Sequence, residues 1–559
     1  MTLSAIHRKL VEDGTKLFED RKNLEAFWQQ SALAFYPEMA TFTSEGSDNR
    51  DYASHLSSSY PLIARRTLGD SLGALLRPVS LDTTSPGVWF NLRTSKGEAA
   101  DNNARKWLER STKIMRAAMY DRQTNFVRAT KEGDHAFATF GQTPIRLSLN
   151  RNRDSLLYRN CHLKDVVWCE NAEGQLDQIQ YRWKPTAQQL AGAFRKVSPK
   201  VKEKLDKSPY ETVECRHIIV SAETYNTRDA EGKRYRQPWI SLWVDVDNQF
   251  LMEETESRSR VYIIPRWVTV PGSQYASSPC VTAALPDSRL LQSIALTLME
   301  AGEKYADPPL VATEEVIRSD MDTQSGGITW VDREYDERGG ASVRPLYKPE
   351  WASGMNGAFQ INADIRAMVD KAFFLDSLSL PPANVKDMTA FEVGQRISEW
   401  MRRAMPIFEP MEFEYNGALC EETFDILMAS GAFGPISEIP QSVRGADIKF
   451  KFESPLHENA DRRKGQKFME AIAILGQAAQ LEKGAVSMLD ATAALRDSLD
   501  GIGVPADWTR DDEQMAEINQ ASAEKEAMAM QLAGAEQAAG IADSLGSAAK
   551  NFAGAREAA

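Results

Sequence analysis

Apolar residues early in the chain recur at three-, four- and seven-residue intervals: Leu3, Ile6, Leu10, Leu17, Leu24 and Phe27, then Leu62, Ile63, Leu68, Leu72, Leu75 and Leu76. That spacing gathers them on one side of a helix. The second run stops at Arg77-Pro78, where proline cannot donate to a helix, and a third run holds Trp107, Leu108, Ile114 and Met115. Residues 1 to about 130 are therefore predicted to be helices packed on one another. From about 140 to 270 the period shortens. Runs such as Val166-Val167-Trp168, His217-Ile218-Ile219-Val220 and Ile240-Ser241-Leu242-Trp243-Val244 alternate with the turn-forming pairs Glu173-Gly174, Glu231-Gly232 and Asp247-Asn248. An antiparallel sheet with one helix near 186–205 is expected.

Residues 287–305 give the clearest helical signal: Asp287 or Ser288 can cap, and Leu290, Leu291, Ile294, Leu298 and Met299 line one side. Asp307-Pro308-Pro309 ends it. A mixed stretch, 306–357, holds Gly326-Gly327, Gly339-Gly340 and a β-like run from Ile328 to Val331, and a second helix is predicted over 358–376, broken by Leu380-Pro381-Pro382. Thr389-Ala390-Phe391-Glu392 matches a capping box and opens a helical segment to about 430, bent near Pro406 and Pro410. The loop before that cap, 377–388, is long enough to suggest a function. After Pro455 the chain turns alanine-rich: 16 alanines fall in the last 45 residues, too few large apolar groups for a private core. The whole reads as α+β, mainly helical.

At 559 residues, with about 150 per domain, three or four domains are expected. The net charge is −13 and the pI about 5.3, the reverse of a protein that grips nucleic acid by broad phosphate neutralisation. Any DNA contact must then be local, weak or sliding. Acidic excess concentrates in 455–559, with 17 acidic against 10 basic residues. Five cysteines, Cys161, Cys169, Cys215, Cys280 and Cys420, show no zinc-site spacing and read as reduced thiols of a cytoplasmically made protein. The charged N-terminus does not resemble a signal peptide, and no apolar run reaches the roughly 18 residues of a membrane span.

Gly69-Asp70-Ser71-Leu72-Gly73 fits the G-x-S-x-G pattern of serine hydrolases and the opening of the GDSL esterases. A nucleophile elbow needs a strand before Ser71, whereas Pro61 to Leu68 has helical spacing, and none of the six histidines has aspartate three positions earlier. Small residues for close helix packing explain the segment better. Ser547-Ala548-Ala549-Lys550 matches S-x-x-K by chance in the alanine-rich tail. No P-loop, H-E-x-x-H or EF-hand pattern occurs, so no cofactor or metal is expected. His162 and His217, beside Cys161 and Cys215, read as sheet residues. Arg65-Arg66, Arg402-Arg403 and Arg462-Arg463-Lys464 read as solvated faces or subunit salt bridges.

An interaction or structural protein remains. In order and spacing, several stretches resemble the head-to-tail connector, or portal, proteins of short-tailed, T7-like bacteriophages. They are Leu75-Leu76-Arg77-Pro78 followed by Trp89-Phe90, Thr186-Ala187-Gln188-Gln189-Leu190, and Tyr275-Ala276-Ser277-Ser278-Pro279 leading to Ala284-Leu285-Pro286-Asp287. Tyr305-Ala306-Asp307-Pro308-Pro309-Leu310 and Met388-Thr389-Ala390-Phe391-Glu392-Val393 complete the series. The resemblance implies a ring of twelve subunits, with 1–286 as wing, 287–305 and 358–376 as stem helices, and 306–357 as clip. It further implies 377–388 as a tunnel loop, 389–454 as wing again and 455–559 as crown. It also implies a non-enzymatic role in the virion, at the capsid vertex, after synthesis in the host cytoplasm. Double-stranded DNA would pass through transiently. The implied partners are further copies of the chain, the terminase large subunit, tail adaptor and tail tube proteins, and the major capsid and scaffolding proteins, with no membrane. Lys386, Arg366 and Lys371 are the candidates to face DNA. The alternatives are a serine esterase using Ser71 and a virion scaffold or internal core protein.

Overall fold

The interval of Ile6 and Leu10 is realised in helix α1 (Ala5–Asp20), with Leu3 just ahead of it and Ser4 and His7 exchanging capping hydrogen bonds. The computed structural model describes residues 3–43, 52, 54–78, 89–94, 102–228, 234–306, 310–312, 343–345, 351–378, 411–445 and 448–452, with isolated helical pieces between 468 and 529. The chain divides into two compact units, Met1–Trp89 with Met115–Ala432, and Phe90–Ile114 with Phe433–Ala559.

In the first unit, α1 is followed by α2 (Lys22–Phe35) and α3 (Tyr60–Leu76). The chain then contributes β1 (Phe90–Thr94) and most of α4 (Asn102–Met119) to the second unit. Helix α5 (Phe126–Phe140) leads into the hairpin β2 (Ile145–Leu149) and β3 (Leu156–Asn160). Five antiparallel strands in chain order form the main sheet: β4 (Val166–Glu170), β5 (Leu176–Trp183), β6 (Cys215–Ser221), β7 (Trp239–Asp245) and β8 (Phe250–Ser257). Alternation along β6 explains why every residue from Cys215 to Val220 is buried. Ile218 and Val220 pack with Leu3 and with Ile6 and Leu10 of α1, while Ile219 joins the cluster around Trp28, Phe42 and Trp168. Cys215 packs instead with Leu190 and Val201, from two short helices inserted between β5 and β6.

Those helices, α6 (Ala187–Ala193) and α7 (Pro199–Lys207), replace the single helix expected near 186–205. Ser198 caps α7 and Pro199 occupies its first turn, a pairing that starts a new helix rather than continuing the old one. Helix α8 (Ala222–Arg228) then precedes β7, and β9 (Tyr262–Ile263) adds to β2. A two-residue ladder, β10 (Val268–Thr269) with β11 (Ala276–Ser277), leads to α9 (Pro279–Ala306).

The expected start at 287 is corrected: α9 begins eight residues earlier, with Pro286 inside it and Ser278 Oγ accepting from Val281 N at 3.4 Å. Strands β12 (Leu310–Ala312) and β13 (Val343–Pro345) pair antiparallel, and α10 (Trp351–Ala372) starts and ends earlier than the expected 358–376. Phe374, at a φ of 56°, breaks it before the short α11 (Leu375–Leu378), so the first two residues of the expected loop are helical. A π turn, Glu412–Gly417, runs into α12 (Ala418–Ser430). The predicted Thr389 cap and the bends at Pro406 and Pro410 lie outside the described residues.

In the second unit β1 pairs antiparallel with β14 (Ile448–Phe452), setting Leu92 opposite Phe450. Thr112 Oγ1 of α4 accepts from Leu92 N at 3.1 Å, and Trp107 lies edge-on to Phe433. A strand at 90–94 departs from the all-helical reading of residues 1–130.

The Gly-Asp-Ser-Leu-Gly segment lies inside α3, where α3 packs on α5. A Cβ at Gly69 would come within 2.2 Å of His135 Nδ1, and one at Gly73 within 2.9 Å of Asp134 Oδ2. Both glycines serve close helix packing. Gly69→Ala is expected to destabilise the first unit by about 1–3 kcal/mol, the usual cost of overpacking, because Arg65 also holds the His135 ring at 3.2 Å. Calorimetry of the variant should show the lower midpoint; an unchanged midpoint would mean the helices can part freely.

Candidate functional site

The two long helices α9 and α10 pack side by side, and the β12–β13 ladder joins the chain leaving one to the chain entering the other. They are held at their base by residues ahead of α3. Gln292 of α9 accepts from Ser57 N and Ser58 N, both at 2.7 Å, and donates to Ser58 O at 2.8 Å. Tyr60 donates to Asp370 of α10 at 2.5 Å, and Phe373 packs on Phe35 of α2. Partial burial, with Asp370 beside it, pushes the Tyr60 phenol up to about 12.

An open cleft of about 560 Å³ runs between the helices, lined among others by Leu298, Met299, Phe359, Asn362, Arg366 and Asp370. Arg366 borders this cleft with its guanidinium 5.2 Å from the centre of the Tyr60 ring. Lys371 is exposed in the last turn of α10, where its charge complements the helix dipole. Five positions at about 100° per residue set the two cations roughly 140° apart around the helix, so they do not share a face. Lys386 lies outside the described residues. Apolar side chains are also half exposed on both helices: Leu290, Leu296 and Met299 of α9, and Phe359, Ile361 and Met368 of α10, are 45% to 53% exposed, Met299 and Phe359 among them lining the cleft.

A buried polar cluster that sequence reasoning missed fastens the returning helix, α12 with its π turn, to α3 and α5. Arg77 makes a bidentate ion pair with Asp134 of α5 and donates to Asn416 Oδ1 at 3.0 Å. Asn416, in the π turn, donates to Leu76 O at 2.8 Å, and Tyr415 stacks under the guanidinium, 4.9 Å from ring centre to Cζ. Burial opposes the charge on Arg77, yet Asp134 and Tyr415 hold its pKa above the ordinary value. Burial pushes the Asp134 carboxyl up, with Arg77 opposing. Farther along, Tyr158 and Thr423 hydroxyls meet at 2.7 Å, and Arg260 Nε lies 2.7 Å from Glu422. The signal for this cluster was an arginine between an apolar helix end and a proline, but its partners lie far along the chain.

Ser71 sits mid-helix with no strand before it, which removes the elbow that the esterase alternative requires. Ser547 and Lys550 lie outside the described residues. All five cysteines are free, and burial pushes the Cys161 thiol up to about 12. His217 lies in β6 as expected, between Tyr262 Oη at 2.7 Å and Ser241 Oγ at 2.8 Å, whereas His162 caps a short 3-10 turn. Among the described residues no His, Cys, Asp or Glu group could hold a metal, and no helix is long and apolar enough to cross a membrane.

A sequence profile described as "Bacteriophage head to tail connecting protein" matches residues 8–509. The chain belongs to that family. The family resemblance carried by the ordered stretches from Leu75 to Val393 is borne out. Two connector relatives are similar over most of their length. A "Probable portal protein" of Bordetella phage BPP-1 is 25% identical over 482 residues, covering 83% of this chain and 82% of the relative. A "Portal protein" of Salmonella phage epsilon15 is 23% identical over 543 residues, covering 95% and 93%. Among solved structures, a chain of the virion of a native gene transfer agent particle aligns over 79% of this chain and 95% of its own, at 9% identity and a TM-score of 0.36. Connector proteins are structural parts of the virion, and the α+β architecture, richer in helix than in strand, agrees with the sequence expectation.

Proposed function

We propose that this connector is a portal: copies close into a ring, twelve by family resemblance, around a channel that conducts double-stranded DNA into the head during packaging and out during ejection. The observation that carries this reading is the family match over residues 8–509. Four half-exposed apolar side chains outside the cleft, Leu290 and Leu296 of α9 and Ile361 and Met368 of α10, support it, since a lone chain leaves them open to water and a neighbouring copy would cover them. In this arrangement α9 and α10 act as the stem, 306–357 as the clip, 377–388 as the tunnel loop and 455–559 as the crown. The clip docks the terminase large subunit and later tail adaptor and tail tube proteins, while the wing meets the major capsid and scaffolding proteins. Lys386, Arg366 and Lys371 are the channel-facing candidates. A chain of net charge −13 suits a conduit, because a mostly acidic wall with few cations lets a duplex slide instead of gripping it.

Electron microscopy of the purified protein is expected to show closed rings with a central hole wide enough for a B-form duplex. A monodisperse monomer at every ionic strength, or a hole too narrow for duplex DNA, would overturn the proposal.

A further inference from the structure

The loop joining α6 to α7, together with α7 itself, carries a dense run of positive charge. Residues 195–207 hold six cations against Glu203 and Asp206, in a chain whose total is −13. Two of the six are engaged: Lys204 pairs with Glu211 at 2.7 Å and Lys207 with Glu203 at 2.8 Å. The other four, Arg195, Lys196, Lys200 and Lys202, are exposed and have no ion-pair partner among the described residues.

Their placement works against local stability. Lys200 and Lys202 stand in the first turn of α7, which contains no acidic residue, so two cations meet the positive end of the helix dipole. The scaffold beneath them is well fastened. Ser198 Oγ caps α7 by accepting from Val201 N at 3.3 Å and donates to buried Asp245 at 3.0 Å, while Val201 itself is fully buried under α7. Val197 also packs inward. At the start of α7 the exposed charged side chains are therefore cationic, while Val197 and Val201 turn inward.

We propose that Arg195, Lys196, Lys200 and Lys202 form a surface site for the sugar-phosphate backbone of duplex DNA, distinct from the stem and loop residues assigned to the channel. A protein partner ordinarily meets an apolar or aromatic centre with a complementary one, and the four cations surround none, the exposed Tyr210 lying beyond the opposite end of α7. A duplex needs only cations, because it presents one negative charge about every 1.7 Å along its axis. The acidic excess of the remaining chain disfavours the same polyanion elsewhere outside the channel. The site does not depend on the ring or its channel.

The test uses the full-length assembled protein and a covalently closed duplex minicircle, which cannot thread a channel. Fluorescence anisotropy of the labelled circle across a salt series is expected to show at least a tenfold loss of affinity in R195A/K196A/K200A/K202A. Each lost phosphate contact removes about 0.9 from the log-log salt slope, so the slope should fall by about 3 to 4. K196R/K200R/K202R should keep both affinity and slope. K200E/K202E should lose binding while its thermal midpoint equals or exceeds that of the parent, separating loss of the site from loss of the fold. Unchanged affinity and slope in the quadruple variant would overturn the proposal. So would retained circle binding with lost binding of poly-glutamate, which would assign the face to an acidic polypeptide.

Discussion

Asp134→Ala is expected to cost about 3–5 kcal/mol, the penalty for leaving a buried charge without its partner, and to lower the first thermal transition of the protein by several degrees. Arg77 is fastened between α5 and the π turn, so removing the carboxylate strands a guanidinium with only Asn416 and the Tyr415 ring around it. It cannot shed its charge, since arginine stays protonated in proteins, and it cannot reach water without parting α3 from α5 or releasing the returning helix. Replacing both members, as in Arg77→Met with Asp134→Leu, should regain most of that loss, because a buried pair exchanged for apolar side chains of similar volume is often tolerated. The glycine at position 73 leaves the space needed, with its Cα side turned to Asp134. Differential scanning calorimetry of the two variants decides the matter. A double variant as unstable as Asp134→Ala would mean that geometry, not unpaired charge, sets the cost.

The contrast between this cluster and the main sheet shows which features were legible in the sequence. Strands β4, β6 and β7 fall within two residues of their apolar runs, because each is bounded by turn chemistry next to it in the chain. The same local logic identified Gly69 and Gly73 as packing glycines, since helical spacing ahead of Ser71 excluded an elbow. Where local rules compete, the reading slipped. Asp287 and Ser288 offered caps for a helix starting at 287, but the turn capped by Ser278 starts α9 upstream and carries Pro286 inside. Ile448, Phe450 and Phe452 alternate with Lys449 and Lys451, a strand signal in plain view, yet its partner β1 lies near the other end of the chain. Pairings of that range, like Arg77 with Asp134 and Asn416, leave no trace in the spacing of either segment. Arg366 and Lys371 were selected by residue type, although the predicted helix 358–376 already set them roughly 140° apart, a separation that α10 keeps.

Mild acid is expected to destabilise the first unit through its buried histidines before the Glu254 carboxylate is protonated. Burial pushes the His162 imidazole down to about 4, from an ordinary 6.5, in a site where Nδ1 accepts from Lys164 N and Nε2 lies 3.1 Å from Thr41 Oγ1. His135, beside Arg65, is likewise held down to about 4 by burial, and burial keeps His217 neutral between Tyr262 and Ser241. In each case the unfolded chain takes up a proton at higher pH than the folded one. Their contribution is therefore complete above pH 6.5 and is lost as the pH falls from 6.5 towards 4. At about 1.4 kcal/mol per pH unit, His162 alone gives up roughly 2 kcal/mol by pH 5. Glu254 follows in a separate phase. The hydrogen bond from His7, with help from Tyr235 and Tyr225, holds its carboxyl down to about 2, so its contribution persists above 4.5 and is lost between 4.5 and 2. Thermal midpoints measured from pH 7.5 to 3 should fall in two steps in that order. His162→Asn, which keeps an acceptor for Lys164 N, should start less stable but lose less between pH 6.5 and 5. A midpoint that stays level down to pH 5 would show that these histidines reach solvent in the folded protein and take up protons without opening it.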